Sequence, residues 1–485
     1  MNIIPKPVEI MEREVSFDIK KLSKAVGDPS FKNEMEVFNI QCGEFIYSGP
    51  EILVCEKDSS LKSESYTLSI DSDRVRVAAA DGAGICHGLQ TLRQLLLSRE
   101  KEIPCCKIKD HPRFSWRGYM LDCSRHFFTV PFIKKMIDTL SLHQINKFHW
   151  HLCDDQGWRF PVKGWPALIE KGSRRETLNV PGREYGGFYT AEEIRDIVSF
   201  AAVRHVEIIP EVDLPGHTSA VLASYPDLGC SGGPYRVEDR YGIFEDVLCA
   251  GNDRIFDFFA AVFDALAELF PSDWIHIGGD EVLYNHWSTC PKCQKRLEEQ
   301  KLSKARELQS WITYRLVRML AERGKTAIGW DEILEDSKQF PLPENAVIMS
   351  WRGRERGLEA CRRGRKVIMS PNTEGCYLDY KHSEDPEEPG NIGVSPLSSI
   401  YNMDPLSPGM KESEAALVMG GQANLWTELV PNGKLAEYMS FPRICALAEG
   451  LWTPKDKKNY EDFTSRLAVH RLRLDRLGVL QYRGE

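Results

Sequence analysis

The sequence predicts an α/β protein in which a small α+β domain, residues 1–110, precedes a (β/α)8 or TIM barrel, residues 111–485. The length of 485 residues accommodates one barrel and one smaller unit. After about Asp110, short apolar runs alternate with helical stretches, which is typical of βα units and a parallel sheet. Eight such units can be placed, and residues suited to chemistry follow the ends of their strands.

The first unit contains strand-like runs followed by an amphipathic helix. The runs are Glu51 to Cys55, Tyr66 to Ile70 and Val75 to Ala79. After them, apolar residues from Ile85 to Leu96 recur at helical spacing. The segment from Ile103 to Pro112 has a proline near each end, so we expect the domain boundary there.

Eight strands are predicted in the second unit. Helical patterns lie between them, for example over Pro131 to Leu142 and over Thr190 to Ala202, which opens with a capping box. The predicted strands are Gly118 to Asp122, Lys147 to Cys153, His205 to Asp213, Trp274 to Glu281, Thr326 to Glu332, Ala346 to Trp351, Lys366 to Asn372 and Val418 to Trp426.

Composition and charge argue against several classes of protein. The net charge of −9 at pH 7 argues against a nucleic-acid partner. No apolar run approaches the roughly 18 residues that span a bilayer, so we expect no membrane anchor. The amino-terminal segment contains Pro5 and Pro7 and does not look like a signal peptide, so we expect a cytoplasmic location.

The 14 cysteines are scattered along the chain, and several lie in apolar strands. This distribution favours reduced core thiols over a disulfide framework. Cys290-Pro-Lys-Cys293 is a single CxxC pair with no second pair at zinc-finger spacing. We therefore expect no metal site.

The residues suited to chemistry gather at the predicted strand ends. Carboxyl ends of parallel strands meet at one rim of a barrel, where barrel enzymes build their active sites. A purely structural barrel has no reason to place three tryptophans and many carboxylates there. Strand by strand, these residues are Arg125; Asp154 and Asp155; Glu211, Asp213 and His217; Asp280 and Glu281; Trp330; Trp351; Tyr377 and Asp379; and Trp426 and Glu428.

The hexapeptide His276-Ile-Gly-Gly-Asp-Glu281 is the most informative of these strand ends. Its two glycines allow a backbone bend, so that both carboxylates can reach one pocket. Crowding two carboxylates raises one pKa and leaves the other group ionised. Aromatic walls with carboxylates and an arginine suit a sugar, and glycoside cleavage needs an acid beside a stabilising group.

Five motifs at separate strands resemble glycoside hydrolase family 20, the β-N-acetylhexosaminidases. The resemblance runs in order from about Pro112 to the carboxyl terminus, and the opening Ile3-Ile-Pro-Lys-Pro7 resembles the non-catalytic domain that commonly precedes this barrel. The motifs are Leu121-Asp-Cys-Ser-Arg-His-Phe127, His151-Leu-Cys-Asp-Asp-Gln-Gly-Trp158, Glu211-Val-Asp-Leu-Pro-Gly-His217, His276 to Glu281, and Gly420-Gly-Gln-Ala-Asn-Leu-Trp426.

The resemblance implies hydrolysis of terminal, non-reducing β-linked GlcNAc or GalNAc from oligosaccharides or glycoconjugates, without a cofactor. It also implies a retaining mechanism in which the substrate's 2-acetamido oxygen attacks the anomeric carbon and forms an oxazolinium ion. In that scheme Glu281 matches the general acid/base, Asp280 the carboxylate that orients the acetamido nitrogen, and Tyr377 the hydroxyl that holds the acetamido oxygen. The other matches are Trp330, Trp351 and Trp426 around the acetyl group and sugar face; Arg125, Asp379 and Glu428 on the sugar hydroxyls; and Asp154 with His217 in proton transfer.

Two alternatives remain open at this point. His149 and His151 share one face of the second strand, as in the HxH metal site of barrel amidohydrolases, although hydrogen-bonded core histidines, with His276, are the simpler interpretation. A sugar-binding protein on an inactive barrel would retain the aromatic walls and lose the acid. The preferred sugar, its linkage and the oligomeric state do not follow from the sequence.

Overall fold

The computed structural model describes residues 1–47, 52–98, 101–177 and 182–484. Its first part is a six-stranded mixed sheet with two helices. In chain order, the elements are β1 (Glu9–Asp18), β2 (Val26–Gly27), α1 (Lys32–Gln41), β3 (Leu53–Lys57), β4 (Tyr66–Ile70), β5 (Val75–Ala79), α2 (Gly82–Leu96) and β6 (Glu102–Asp110). The strand order in the sheet is β1-β6-β4-β5-β3-β2.

The predicted strands β4 and β5 and the predicted helix α2 are confirmed. Strand β3 begins at Leu53, and Glu51 lies outside the described residues. The predicted boundary segment is mostly strand instead of connecting chain, because β6 pairs with β1 and β4 as far as Asp110. Pro104 is tolerated there, because the register of β1 and β6 is irregular in this part of the ladder.

The second part is a closed barrel of eight parallel strands, which confirms the predicted fold class. Each of the eight predicted strands is present, usually with a shorter carboxyl end than predicted. Four short strands lie in loops after β8, and two more lie in the loop after β17. The strands are β7 (Trp116–Asp122), β8 (Lys147–His151), β9 (Cys153–Asp154), β10 (Gly157–Trp158), β11 (Arg174–Glu176), β12 (Glu184–Gly186), β13 (Glu207–Glu211), β14 (Trp274–His276), β15 (Thr326–Trp330), β16 (Val347–Ser350), β17 (Val367–Met369), β18 (Tyr380–Lys381), β19 (Asn391–Val394) and β20 (Val418–Leu425).

Helices surround the barrel strands in the order expected of βα units. Between β15 and β16 the chain forms only a 3-10 turn, Asp331–Leu334, so this connection lies directly on the rim. The helices are α3 (Val130–Leu142), α4 (Ala167–Glu170), α5 (Ala191–Ala202), α6 (Ser219–Ser224), α7 (Arg254–Leu269), α8 (Asn285–Thr289), α9 (Pro291–Glu299), α10 (Arg306–Ala321), α11 (Arg354–Arg362), α12 (Leu397–Asn402), α13 (Glu412–Ala415), α14 (Gly433–Ser440), α15 (Arg443–Trp452) and α16 (Tyr460–Arg476). Among the described residues, no helix has the length and apolar character needed to cross a bilayer.

The sheet of the first part packs against the outside of the barrel through α2. The apolar cluster of the sheet includes Leu142 from α3 and Trp452 from α15. Glu64 accepts two hydrogen bonds from the Arg117 guanidinium, at 3.0 and 3.1 Å. This contact lies at the amino-terminal side of the barrel, so the opposite rim is left for the loops that follow the strands.

Candidate active site

A pocket of about 220 Å³ opens where the predicted strand-end residues meet. Nine of the eleven residues predicted for the site line it, and Asp154 and Trp330 lie behind its wall. The lining residues are Arg125, His217, Asp280, Glu281, Trp351, Tyr377, Asp379, Tyr380, Asn391, Trp426 and Glu428.

The two adjacent carboxylates reach the pocket because the chain bends after β14. Gly278 and Gly279 have φ angles of +63° and +98°, which confirms the bend expected from the glycine pair. A Cβ atom on Gly278 would lie 1.9 Å from Asp213 Oδ1, so no other residue fits this position. Glu281 itself has a φ of +52°, a left-handed conformation that is uncommon outside glycine and is found mostly at functional sites.

Asp280 and Glu281 lie in different environments. The Asp280 side chain is 12% exposed and that of Glu281 is 34% exposed. Burial, followed by the charge of Asp213, raises the pKa of Asp280 well above its usual value. Burial likewise raises the pKa of Asp213 to about 7. The negative charge that most disfavours ionisation of Asp280 is therefore that of Asp213, which follows the neighbouring strand. The charge of Glu281 raises the pKa of Asp280 less than the sequence indicated.

His217 connects the carboxylates of two strand ends. Its Nδ1 atom lies 3.0 Å from Asp155 Oδ2 and 3.3 Å from Asp154 Oδ1, and its Nε2 atom lies 3.5 Å from Glu281 Oε2. Burial disfavours the imidazolium ion, but the charge of Asp154 and hydrogen bonds to its carboxylate neighbours outweigh burial and raise the pKa of His217 well above its usual value. A charged imidazolium thus lies between buried carboxylates and the more exposed Glu281.

Aromatic rings form one wall of the pocket. The rings of Trp351 and Tyr377 are stacked, with centroids 5.9 Å apart and an interplanar angle of 14°. The centroid of the Trp426 ring lies 6.4 Å from that of Tyr377. Burial raises the pKa of Tyr377 well above its usual value, so the phenol keeps its proton and can donate it in a hydrogen bond to a ligand.

Trp330 lies one layer below this wall. It is 1% exposed and packs against Trp426, with ring centroids 5.8 Å apart. Its Nε1 atom donates a hydrogen bond of 2.9 Å to Glu211 Oε1. The structure therefore places Trp330 as a support for Trp426 below the pocket wall.

Arg125 is the cation of the pocket and is fixed by buried carboxylates. Its Nη2 atom lies 2.8 Å from Asp154 Oδ2, and its Nη1 atom lies 3.2 Å from Asp122 Oδ2 and 3.9 Å from Glu428 Oε1. The guanidinium carbon also lies 5.0 Å from the centroid of the Trp426 ring. Such a preorganised guanidinium can bind a hydroxyl group without losing further side-chain freedom.

Three buried carboxylate oxygens of the pocket wall have no hydrogen-bond donor among the described residues. They are Asp280 Oδ1, Asp379 Oδ1 and Glu428 Oε2. Burial and the nearby charge of Glu428 raise the pKa of Asp379 to about 8, and burial also raises the pKa of Glu428. Buried acceptors without donors are costly, so the wall is suited to a ligand that carries several O–H or N–H groups.

The floor cluster, defined here as His149, His151, Glu211 and His276, lies under the pocket. Each histidine ring contacts the Glu211 carboxylate, at 3.0 Å for His149 Nε2 and 2.8 Å for His276 Nδ1. His151 Nε2 also lies 3.1 Å from Asp154 Oδ2. All three histidines are fully buried and hydrogen-bonded, as the simpler interpretation expected, and His149, Glu211 and His276 also form a group that could hold a metal ion.

Several residues of the site were not predicted. Tyr380 and Asn391 line the pocket but belong to the paired loop strands β18 and β19, which carry no recognisable motif. Glu332 accepts a 3.0 Å hydrogen bond from Trp351 Nε1 and so positions that indole. Away from the pocket, four cysteines gather in a group that could hold a metal ion, although only Cys290 and Cys293 were recognisable as a pair.

Comparisons with known proteins agree with this geometry. Residues 114–455 match the catalytic-domain model of glycosyl hydrolase family 20, and residues 1–111 match domain 2 of the same family. The chain is 38% identical to a beta-hexosaminidase of Porphyromonas gingivalis over an alignment that covers 99% of this chain and 64% of that protein. It thus spans just under two thirds of the length of that relative.

Solved enzyme structures are also similar to this chain. A GH20 exo beta-N-acetylglucosaminidase from Vibrio harveyi, in complex with N-acetylglucosamine, superposes with a TM-score of 0.92 at 33% identity, over 99% of this chain and 78% of that chain. A Streptomyces plicatus N-acetyl-beta-hexosaminidase, in complex with thio-NAglucal, superposes with a TM-score of 0.86 at 30% identity, over 100% and 96% of the two chains.

Proposed function

Because the chain belongs to glycosyl hydrolase family 20, we propose that it is an exo-acting β-N-acetylhexosaminidase that uses a retaining, substrate-assisted mechanism. Its substrates are oligosaccharides or glycoconjugates with a terminal, non-reducing β-linked GlcNAc or GalNAc. The observation that carries the proposal is the pocket of about 220 Å³, whose lining combines aromatic rings with three buried carboxylate oxygens that lack donors among the described residues. This volume is below the roughly 300 to 1,000 Å³ typical of drug-sized ligands and suits a single sugar residue.

In the proposed first step, the acetamido oxygen of the substrate attacks the anomeric carbon as the glycosidic C–O bond breaks. Glu281 donates its proton to the departing oxygen and becomes a carboxylate. Tyr377 donates a hydrogen bond to the acetamido oxygen, and Asp280 Oδ1 accepts the acetamido N–H. The imidazolium of His217, with Nε2 3.8 Å from Asp280 Oδ2, favours the ionised form of Asp280 that this contact requires.

In the second step, a water molecule attacks the anomeric carbon of the oxazolinium ion on the face that the leaving group occupied. The bond between this carbon and the acetamido oxygen breaks, which restores the acetamido group. Glu281 accepts the proton of this water, so the acid of the first step acts as the base of the second. The anomeric configuration is inverted twice and is therefore retained. Asp154 and His217 support Glu281 in both steps, since His217 Nε2 lies 3.5 Å from Glu281 Oε2.

The remaining pocket residues bind the sugar in this proposal. Trp351 and Trp426 enclose the acetyl methyl group and the apolar sugar face, while Trp330 supports Trp426 from below. Arg125 binds the sugar hydroxyls through charge-assisted hydrogen bonds, and the carboxyl groups of Asp379 and Glu428 accept hydrogen bonds from them. Catalysis is favoured because the internal nucleophile is held in one orientation within a dry pocket.

The proposal is tested with Glu281→Gln and a matched surface variant, Glu335→Gln, at an exposed glutamate of the same rim. We expect Glu281→Gln to reduce turnover of an unactivated disaccharide by about two to four orders of magnitude, the usual contribution of a general acid. Nitrophenyl N-acetyl-β-glucosaminide, which needs less acid assistance, should be affected less. Unchanged turnover of the disaccharide by Glu281→Gln would show that Glu281 is not the general acid.

The mechanism is tested separately from the activity. Proton NMR during hydrolysis should show the β-anomer of the free sugar first, and the α-anomer as the first product would contradict retention. A nitrophenyl β-glucoside with a 2-hydroxyl group should be a very poor substrate, because it lacks the internal nucleophile. Equal rates for the two sugars would contradict substrate assistance. No nitrophenol release from either sugar would support the alternative of a sugar-binding protein.

A further inference from the structure

Four cysteine thiols meet outside the pocket, although they are far apart in the sequence. We propose that this cysteine quartet, Cys230, Cys249, Cys290 and Cys293, is a structural zinc site. Three of the four residues are buried, and Cys230 is partly exposed. The four sulfur atoms lie within 4.8 Å of one another, and among the described residues no other four cysteines gather in this way.

The distances between the sulfur atoms fit tetrahedral coordination. Cys249 Sγ lies 3.6 Å from Cys293 Sγ and 3.9 Å from Cys290 Sγ, and Cys230 Sγ lies 3.8 Å from Cys293 Sγ. Four sulfur ligands at a zinc–sulfur distance of about 2.3 Å are about 3.8 Å apart in a regular tetrahedron. A disulfide would need a separation of about 2.05 Å, so the observed arrangement is that of four separate thiols around a common centre.

The backbone around the cysteine quartet suits negatively charged sulfur ligands. Cys290 is the N-cap residue of α9 and Cys293 lies in its first turn, so both sulfurs lie at the positive end of the helix dipole. Gly251 lies directly against the first turn of this helix. A Cβ atom on Gly251 would lie 2.1 Å from the carbonyl carbon of Lys292, so only glycine brings the two loops this close.

The ligands come from two loops that also carry the proposed catalytic residues. Cys230 and Cys249 lie in the connection after β13, which contains His217, and the CxxC pair lies in the connection after β14, which contains Glu281. Leu248, next to Cys249, donates its N–H to Pro215 O at 3.2 Å and accepts a hydrogen bond from Trp287 Nε1 at 2.9 Å. A metal ion here would therefore fix one catalytic loop to the other.

The expected role of the zinc ion is structural, because four cysteine ligands leave no open position for a substrate or water. The cysteines that it joins are separated by 41, 44 and 63 positions in the sequence. Closing loops of this length in the unfolded chain is entropically costly, so binding to the folded state stabilises it. The sequence expectation of no metal depended on zinc-finger spacing, which loops from two βα connections need not follow.

The site is tested on the 485-residue protein purified without chelators. Elemental analysis should find about one zinc ion per chain, and X-ray absorption at the zinc edge should show four sulfur neighbours at about 2.3 Å. Cys290→Ser should lose the metal, whereas the control Cys361→Ser, at another buried cysteine, should retain it. After replacement of zinc by Co²⁺, sulfur-to-cobalt charge-transfer bands should appear in the wild-type protein.

The wild-type measurements remain decisive if Cys290→Ser fails to fold. Folded wild-type protein without stoichiometric metal, whose quartet thiols react freely with a thiol reagent, would overturn the proposal. A disulfide between any two of the four cysteines, found by mass spectrometry, would also overturn it. Stoichiometric iron in place of zinc, or oxygen and nitrogen neighbours in the absorption spectrum, would overturn the assignment of a four-sulfur zinc site.

Discussion

The Tyr377 hydroxyl provides the most direct test of the proposed oxazolinium chemistry. Tyr377→Phe removes one oxygen and leaves the ring that stacks on Trp351, with centroids 5.9 Å apart. Burial raises the pKa of Tyr377 well above its usual value, so the phenol keeps its proton and can donate it to the acetamido oxygen. The substitution therefore deletes a hydrogen-bond donor with little change in the shape of the pocket.

The expected magnitude follows from the charge on the acetamido oxygen. In the ground state this oxygen is a neutral amide acceptor, whose hydrogen bond contributes about 0.5 to 1.5 kcal/mol. As the oxygen attacks, the amide becomes strongly polarised, and a charge-assisted bond contributes about 1.5 to 3 kcal/mol. We therefore expect kcat/KM to fall by about 10- to 150-fold, with a larger effect on kcat than on KM.

Steady-state kinetics with nitrophenyl N-acetyl-β-glucosaminide measure this loss, and Tyr119→Phe is the matched control. Tyr119 is fully buried, and its hydroxyl lies 3.0 Å from Ser440 Oγ, outside the pocket. The control should lose stability but less than about threefold in kcat/KM, since its hydrogen bond is remote from the reaction. If Tyr377→Phe and Tyr119→Phe had the same kcat/KM, the hydroxyl would not hold the acetamido oxygen.

Three further predictions concern the aromatic wall of the pocket, the bend after β14 and the 3-10 turn after β15. Trp426→Ala should weaken binding of a thiazoline mimic of the intermediate by about 2 to 4 kcal/mol in calorimetry, whereas Trp274→Ala, at the opposite end of the barrel, should not. Gly278→Ala should lower the denaturation midpoint more than Gly164→Ala, because both glycines have positive φ but only Gly278 would meet a neighbour, and equal losses would contradict this. Burial, followed by the charges of Asp280 and Asp331, raises the pKa of Glu332 from 4.5 to about 8. Because the folded state disfavours the ionised carboxylate, the wild-type protein should lose stability as the pH rises from about 4.5 to 8. Glu332→Gln should therefore be more stable than the wild type by about 1 to 3 kcal/mol at pH 8, and as stable as the wild type at pH 4. A stability difference that does not change with pH would contradict the last prediction.

The barrel could be predicted from the sequence because its strands are buried on both faces. Strands such as β16 and β17 are fully buried, so they appear in the sequence as short apolar runs between helical patterns. Strand β1 was missed for the opposite reason, since most of its residues are exposed, half are charged, and its sequence shows no apolar alternation. The pattern of apolar residues therefore predicts all eight barrel strands but only some of the strands of the first unit.

The pocket was predicted to the extent that its residues directly follow barrel strands. Trp426, directly after β20, and Asp280, in the bend after β14, line the pocket as expected. Trp330 is the last residue of β15 and lies below the wall instead, because its place depends on side-chain packing that strand ends do not reveal. Asn391 and the cysteine quartet come from long loops, and only the fold brings those segments together.

The floor cluster joins the barrel strands to one another independently of the loops above them. Glu211 connects β8, β13, β14 and β15 through side chains that lie within the barrel, so its contacts do not depend on the lengths of the loops above. Loops can therefore be exchanged or extended without displacing the strand ends that carry the chemistry. For enzyme engineering, diversity should be directed to the segment from Tyr380 to Val394, which contributes Tyr380 and Asn391 to the pocket, and the strands that meet Glu211 should be left intact.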